Sequence, residues 1–274
     1  MGTVQEPKLV ACDVDGTLLG AAGTATRRTV RAVHRVVAAG VPFVLVTGRP
    51  PRWIPPVVDE LGYAGPAVCA NGAVLYDAAE DRVLSVDALD PVLLRDVADA
   101  LDKALPGCML AVERTGETAL PAEREFLAEL DYAHPWPSPD SRHAARDELF
   151  GRPAVKLLVR HAEMTSEAMA EAAGAAVGDS VAVTFSTSNG LIELSPRGVT
   201  KGSGLAAVAR RLNVRPEDVI AFGDMPNDLP MLAWAGHGVA MANAHPSVLD
   251  AADEVTALNS EDGVALVLER WFSG

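Results

Sequence analysis

Short apolar runs alternate with helical segments in the first and last thirds of the chain, and this alternation limits the folds available to it. Residues 8–12, 42–46 and 219–222 are almost wholly apolar, and the segment 24–39 carries valines at helical spacing. Apolar strands that alternate with amphipathic helices are typical of a parallel sheet covered on both faces. The sequence therefore predicts an α/β fold with a doubly wound parallel sheet.

The middle of the chain, residues 84–194, has a different pattern. Helical segments and short β-type runs surround a proline-rich loop at 134–139. We interpret this region as a small α+β unit inserted into the larger domain, which is then made from residues 1–83 and 195–274.

The composition argues against some functional classes. The chain has 274 residues, of which 49% are hydrophobic and 22% charged, as expected for an ordered protein with a sizeable core. Its formal net charge of −14 argues against a nucleic-acid or anionic-membrane partner, because both need a basic surface. A small phosphorylated substrate is compatible with this net charge, since its binding depends on a few local cations.

The three cysteines, Cys12, Cys69 and Cys108, are odd in number and widely spaced. We interpret them as buried free thiols of a reducing compartment, because they form neither a disulfide framework nor a zinc spacing. The N-terminus has no signal-peptide pattern, and no apolar stretch approaches the roughly 20 residues that span a bilayer. The expected location is therefore cytoplasmic.

The sequence Asp13-Val14-Asp15-Gly16-Thr17-Leu18 follows the first apolar run directly. It places two carboxylates where a buried strand would end, and the glycine permits a tight turn. Close carboxylates repel each other unless a cation lies between them or one is protonated. The motif therefore suits a metal site or an acid–base pair, with a simple Asp-Gly turn as the alternative. An EF-hand is disfavoured, because the positions that need Gly and Glu hold Leu18 and Thr24.

Polar residues also follow the other predicted strands. Thr47, Gly48 and Arg49 come after the second run, and Gly223-Asp224 come after the run at 219–222. In an open parallel sheet the carboxyl ends of the strands share one edge, where ligands bind. We therefore expect residues more than two hundred positions apart in the sequence to meet in one crevice.

Several groups near this edge suit an anion. Thr47 and Gly48 offer a hydroxyl and a backbone amide to a phosphoryl oxygen. Lys201 follows Thr200, a suitable N-cap, and a helix N-terminus with an ammonium group binds anions; a solvated lysine is the alternative. Asp228 either adds a carboxylate to the site or caps the helix that follows it.

These motifs, in this order, resemble the four-motif set of the haloacid dehalogenase (HAD) superfamily, whose members are mostly aspartate-nucleophile phosphatases. The likeness covers nearly the full chain, including the insert. The stretch 193–202 and the turn Asn71-Gly72-Ala73 are similar to sequences typical of the Cof-type (type IIB) subfamily. The resemblance implies a Rossmann-like core with an inserted α/β cap domain that selects the substrate.

The resemblance also implies a role for each matching residue. Asp13 is the expected nucleophile, which forms an aspartyl-phosphate, and Asp15 is the expected general acid and base. The residues expected to bind the substrate phosphate are Thr47, Gly48, Lys201 and Asn227. The groups expected to hold Mg²⁺ are Asp13, the backbone carbonyl of Asp15, and Asp224, with Asp228 reached through water or Lys201.

The expected activity is hydrolysis of a small phosphomonoester, such as a sugar phosphate, a nucleotide or a phosphorylated cofactor. A phosphomutase of the same superfamily is the main alternative, since it would form an isomer without releasing phosphate. A phospho-receiver domain is disfavoured, because both carboxylates lie on one loop and the insert would have no purpose. Candidate substrate contacts around the cap are Arg49, Arg114, Lys156, Ser188 and Asn189. The sequence does not indicate the oligomeric state.

Overall fold

Two β-sheets organise the described residues of the computed structural model, which are 5–119, 126–133 and 141–273. Within these ranges one sheet has eight strands and is mostly parallel, whereas the other has six strands and is mostly antiparallel. The proline-rich loop predicted at 134–139 lies outside the described residues.

The elements follow one another along the chain in three segments. The first contains β1 (Leu9–Cys12), α1 (Arg27–Ala38), β2 (Phe43–Val46), α2 (Pro55–Leu61), β3 (Pro66–Cys69), β4 (Val74–Asp77) and β5 (Arg82–Val86). The inserted segment contains α3 (Pro91–Ala104), β6 (Met109–Glu113), β7 (Phe126–Ala128), β8 (Ser141–His143), α4 (Arg146–Leu149), β9 (Lys156–Arg160), α5 (Ser166–Val177), β10 (Val181–Thr184) and β11 (Leu191–Pro196). The last contains α6 (Lys201–Arg211), β12 (Val219–Gly223), α7 (Leu229–Trp234), β13 (His237–Ala240), α8 (Pro246–Ala251), β14 (Glu254–Val255) and α9 (Gly263–Leu268).

The larger sheet has the order β14-β13-β12-β1-β2-β3-β4-β5. Pairing is parallel from β14 to β3, and β4 and β5 extend the sheet in antiparallel fashion. The strand order reverses at β1, which lies between β2 and β12, and such a switch point opens a crevice at the carboxyl ends of the strands. The predicted doubly wound parallel sheet is confirmed.

Helices cover both faces of this sheet because its strands are apolar on both faces. Val10 and Phe43 pack with residues of α1, α2 and α9 on one face. Leu9 and Val44, their neighbours along the same strands, pack with residues of α6, α7 and α8 on the other face. The core therefore forms two apolar layers, one on each face of the sheet.

The first helix begins where the sequence provides a cap. Thr26 accepts a hydrogen bond from the backbone N–H of Thr29 at 3.1 Å, so α1 begins at Arg27, slightly after the predicted start at residue 24. The helix ends just before Gly40, whose φ of +79° lies in the left-handed region.

The inserted sheet has the order β10-β11-β9-β6-β7-β8. Residues 84 and 194, the predicted limits of the insert, fall within β5 and β11, and β5 pairs with β4 of the larger sheet. We propose that the insert is bounded by these strand ends and comprises residues 87–196.

The three cysteines are buried and free, as predicted. In the part of the chain that the structure describes, no helix is both long and apolar enough to cross a membrane.

Candidate active site

Three of the predicted site residues lie side by side at the carboxyl edge of the larger sheet. Asp13, Thr47 and Asp224 directly follow β1, β2 and β12, which are neighbours in the sheet. The backbone N–H of Asp13 donates to the carbonyl of Phe222 at 3.0 Å, so the parallel pairing continues into the loop. The sequence expectation that these distant residues meet in one crevice is met.

Lys201 joins them from the first position of α6. Thr200 and Ser203 form a reciprocal capping box that fixes this end of the helix. The Lys201 ammonium group is almost fully buried and donates to Oδ1 of Asp13 and to Oδ1 of Asp228, at 2.5 Å each. The interpretation of Lys201 as a solvated side chain is therefore wrong.

Asp228 is fixed by the backbone of its own loop. Its Oδ2 accepts hydrogen bonds from the N–H groups of Asp224 and Met225, at 2.9 Å each. It precedes α7 but makes no side-chain hydrogen bond to that helix. Gly223 permits this packing, because a Cβ there would lie 2.5 Å from the Cβ of Asp228.

The geometry of Asp224 depends on the loop after Asp13. Thr17 donates its hydroxyl to Oδ1 of Asp224 at 3.2 Å. Gly16 has a φ of +82°, and a Cβ at this position would lie 2.2 Å from Oδ2 of Asp224. The glycine of the first motif is therefore required twice, for its backbone conformation and for the close approach of a carboxylate.

Asp13, Asp224 and Asp228 form a buried carboxylate cluster, with one oxygen of each within 4.8 Å of the others. Burial and the neighbouring carboxylates raise the pKa of Asp13 well above its usual value, against the opposing effect of Lys201. Burial and Asp228 raise the pKa of Asp224 to about 7. Burial disfavours the charge on Lys201, but the two carboxylates that it contacts raise its pKa above the usual value.

This cluster fits a divalent cation. Lys201 contacts two of the three buried carboxylates, and burial together with the mutual repulsion of the carboxylates raises the pKa of Asp13 and of Asp224. Hard oxygen donors are the ligands preferred by Mg²⁺ and Ca²⁺. Asp13, Asp224 and Asp228 are therefore the side chains suited to hold such an ion.

The Asp15 side chain lies outside the carboxylate cluster but lines the same cavity. Its carboxylate accepts two hydrogen bonds from Arg49, from Nε at 2.8 Å and from Nη2 at 2.6 Å, and its side chain is 60% exposed. The backbone N–H of Arg49 donates to Oγ1 of Thr47 at 3.1 Å. Thr47, Gly48 and Arg49, here termed the phosphoryl loop, therefore lie directly beside both aspartates of the first motif.

A cavity of about 200 Å³ opens above these residues and is bounded by both sheets. Its polar lining includes Asp13, Asp15, Thr47, Gly48, Arg49, Glu113, Lys156, Ser186, Thr187, Glu193, Lys201, Asp224 and Asn227, and its apolar lining comprises Pro50, Trp53, Phe126, Leu158 and Met225.

The inserted sheet reaches the cavity with one face. Glu113 pairs with Lys156 across β6 and β9, and Glu193 pairs with Leu158 across β11 and β9, so these four side chains point to the same side. The alternate residues of these strands, such as Leu157, pack under α3 and α5. The polar residues in otherwise apolar strands therefore mark the face that closes the site.

Only some of the candidate substrate contacts lie at the cavity. Arg49 and Lys156 line the cavity. Arg114, Ser188 and Asn189 are not among the described residues that line it, and their contact with substrate stays a prediction. Arg114 instead donates to the carbonyls of Glu148 and Leu149.

Sequence reasoning assigned no function to Asn71 and Glu193, although both contribute to the site. The Nδ2 of Asn71 donates to Oε2 of Glu193 at 2.8 Å, and its Oδ1 accepts from Nδ2 of Asn227 at 3.1 Å. Asn71 closely follows β3, so the sheet-edge argument applied to Thr47 would also have identified it.

A family model of the haloacid dehalogenase-like hydrolases matches residues 10–268. The chain belongs to this family. The resemblance inferred from the motifs, to Cof-type HAD phosphatases, is confirmed, and so is the prediction of an enzyme of the phosphatase type.

Curated relatives match over nearly the whole chain. A Bacillus subtilis 5-amino-6-(5-phospho-D-ribitylamino)uracil phosphatase, YwtE, is 27% identical over 97% of this chain and 99% of its own length. Phosphatase YwpJ of Bacillus subtilis is 28% identical over 96% of this chain and 99% of its own length.

A solved HAD-like hydrolase from B. subtilis has the same fold. Its TM-score is 0.82 at 24% identity, and the match covers 96% of this chain and 99% of that one.

Proposed function

We propose that this HAD-like hydrolase is a magnesium-dependent phosphatase of small phosphomonoesters that acts through an aspartyl-phosphate on Asp13. The observation that carries the proposal is the buried contact of Lys201 with both Asp13 and Asp228, beside Asp224 and beneath a cavity. A buried carboxylate held by an ammonium group is oriented for attack on an electrophile that enters the cavity.

In the first step, a carboxylate oxygen of Asp13 attacks phosphorus and the bond from phosphorus to the ester oxygen breaks. Asp15 donates a proton to that leaving oxygen. The phosphoryl loop and Asn227 bind the phosphoryl oxygens, and Lys201 offsets the negative charge around Asp13.

In the second step, the Asp15 carboxylate takes a proton from a water molecule, whose oxygen attacks the phosphorus of the aspartyl-phosphate. The bond between Asp13 and phosphorus breaks, which releases inorganic phosphate and restores the carboxylate. Arg49 holds the exposed Asp15 carboxylate at the mouth of the site, where it can reach the leaving group and then the water.

We propose Mg²⁺ as the cation held by Asp13, Asp224 and Asp228, together with the backbone carbonyl of Asp15. When bound, it would offset the repulsion between the Asp13 carboxylate and an anionic substrate.

The test is a panel of phosphomonoesters assayed for released phosphate with magnesium and with chelator. The panel includes sugar phosphates, phosphorylated cofactors and 5-amino-6-(5-phospho-D-ribitylamino)uracil, for which YwtE is named. We expect magnesium-dependent release, and an Asp15→Ala variant slowed by about 10²–10⁴-fold. Isomer formation without phosphate release would instead establish a phosphomutase, and activity indifferent to chelation would contradict the metal assignment.

A further inference from the structure

A buried hydrogen-bond chain connects the inserted sheet to the phosphoryl loop. Lys156, the first residue of β9, is 3% exposed, and its ammonium group donates to Oε1 of Glu193 at 2.6 Å and to the backbone carbonyl of Gly48 at 2.8 Å. Glu193 is equally buried. The insert therefore contacts the backbone of the phosphoryl loop directly.

The same chain continues to Asn227. Glu193 uses its second oxygen to accept from Asn71, and Asn71 accepts from Asn227. Asn71 is held in the left-handed region, with a φ of +57°. The ion pair thus connects two groups of the proposed phosphate site, the phosphoryl loop and Asn227.

We propose that Lys156 and Glu193 are positioning residues for phosphoryl transfer, an inference that rests on the proposed function. Lys156 holds the oxygen end of the peptide between Gly48 and Arg49, and Thr47 Oγ1 accepts from the N–H end of that same peptide. Because the Thr47 oxygen is engaged as an acceptor, its hydroxyl proton is left to donate to a phosphoryl oxygen.

Glu193 positions Asn227 in a similar way. Its bond to Nδ2 of Asn71 turns Oδ1 of Asn71 toward Asn227, and that oxygen fixes the Asn227 amide nitrogen. The Asn227 amide keeps a second N–H for a phosphoryl oxygen. The Lys156–Glu193 pair has no net charge, so it orders both groups without altering the charge balance at Asp13.

The alternative is that Lys156 and Glu193 bind the organic part of the substrate, because both line the cavity. The two roles differ in what the substrate must contain. A positioning role affects inorganic phosphate and every phosphomonoester alike, whereas contact with the leaving group affects only the esters that make that contact.

The test uses the double variant Lys156→Met/Glu193→Gln. Removing one partner would leave a buried charge unpaired, whereas removing both leaves none. The inhibition constant of inorganic phosphate and the kcat and KM of several phosphomonoesters are measured with magnesium. We expect phosphate binding to weaken by roughly tenfold or more, and kcat/KM to fall by a similar factor for all esters, with kcat itself reduced.

Asn71→Gly is the second variant. Glycine accepts the positive φ, so the turn is kept while the bonds to Glu193 and Asn227 are lost. We expect the same uniform loss, in a protein whose Lys156–Glu193 pair is intact. The control is Arg146→Met/Asp102→Asn, which removes a partly exposed ion pair of the insert, together with the bond of Arg146 to Glu129, away from the cavity and is expected to leave phosphate inhibition unchanged.

Unchanged phosphate binding in folded double and Asn71→Gly variants would overturn the inference. A loss that varies with the leaving group would also overturn it, in favour of substrate contact. If the wild-type chain hydrolyses no ester, the proposed function fails, and calorimetric binding of inorganic phosphate to the same variants still decides the positioning role.

Discussion

At the scale of single residues, the site depends on two glycines as well as on its acidic side chains. Gly16 lies where a Cβ would collide with Asp224, and Gly223 lies where one would collide with Asp228. These glycines let two acidic loops approach within van der Waals distance, which concentrates negative charge beside Asp13. The close approach is thus encoded in the same short motifs as the carboxylates.

Gly16→Ala is expected to destabilise the protein and weaken its response to magnesium. The change combines a positive φ with a Cβ 2.2 Å from Oδ2 of Asp224, so the loop or the carboxylate must move. Gly23→Ala is the matched control, because Gly23 has a φ of +72° but no atom within 4 Å of its added Cβ. Strain alone costs about 1–2 kcal/mol. Urea unfolding and magnesium titration of activity should separate the two variants, and equal magnesium responses would contradict the role of Gly16.

Asp13→Asn is expected to lower turnover by on the order of 10⁴-fold or more, because an amide oxygen does not replace the nucleophile. The fold should persist, since the change is nearly isosteric and Lys201 keeps its bond to Asp228. Phosphate release and the thermal midpoint are measured on the same sample. A folded variant that retains a tenth of the activity would remove Asp13 from the nucleophile role.

At the scale of elements, the first residue of helix α6 is Lys201, whose ammonium group lies in the site. A lysine in the first turn opposes the helix dipole, and the contacts with Asp13 and Asp228 offset this cost. The capping box of Thr200 and Ser203 fixes the helix start, so the position of Lys201 depends on a local sequence signal.

Thr200→Ala should destabilise the protein by about 1 kcal/mol through loss of the N-cap. It should also lower kcat, because the ammonium group would be held less firmly against Asp13. Thr200→Ser retains a capping hydroxyl and serves as the control. Chemical denaturation and steady-state kinetics on both variants check this, and equal kcat values would show that the cap does not position Lys201.

The elements also show what the sequence could predict. The strands before Asp13, Thr47 and Asp224 were identified because each is a continuous apolar run that ends at a polar residue. Strand β6 is also an apolar run that ends at a polar residue, Glu113, but it was overlooked, and no local signal indicates that Glu113 would face the site. The pairing of Lys156 with Glu193 was equally inaccessible, since no local pattern specifies which strands of the insert become neighbours.

At the scale of the whole molecule, the carboxylate cluster couples stability to pH and to metal. Burial and Asp228 raise the pKa of Asp224 to about 7, whereas an unfolded aspartate titrates near about 4. At a pH between about 4 and about 7 the folded protein binds more protons than the unfolded chain. The free energy of unfolding of the metal-free protein therefore falls as the pH rises through this range.

We therefore expect magnesium to raise the thermal midpoint more at about pH 8 than at about pH 5.5, because the bound ion offsets charge that is fully developed only at the higher pH. Thermal denaturation with chelator and with magnesium at both pH values measures this. In Asp224→Asn the pH dependence of the metal-free protein should become shallower. A magnesium effect that is larger at the lower pH would contradict this assignment.

The strand order has a consequence for biosynthesis. Strand β1 pairs with β2 on one edge and with β12 on the other, and Val219, the β12 partner of Leu9, is made about 200 residues later, roughly 10–40 s at ordinary rates of translation. All strands of the insert leave the ribosome before that partner does. The nascent chain therefore passes through a stage in which the insert has been synthesised while one edge of β1 still lacks its partner strand, and an unpaired strand edge can pair wrongly.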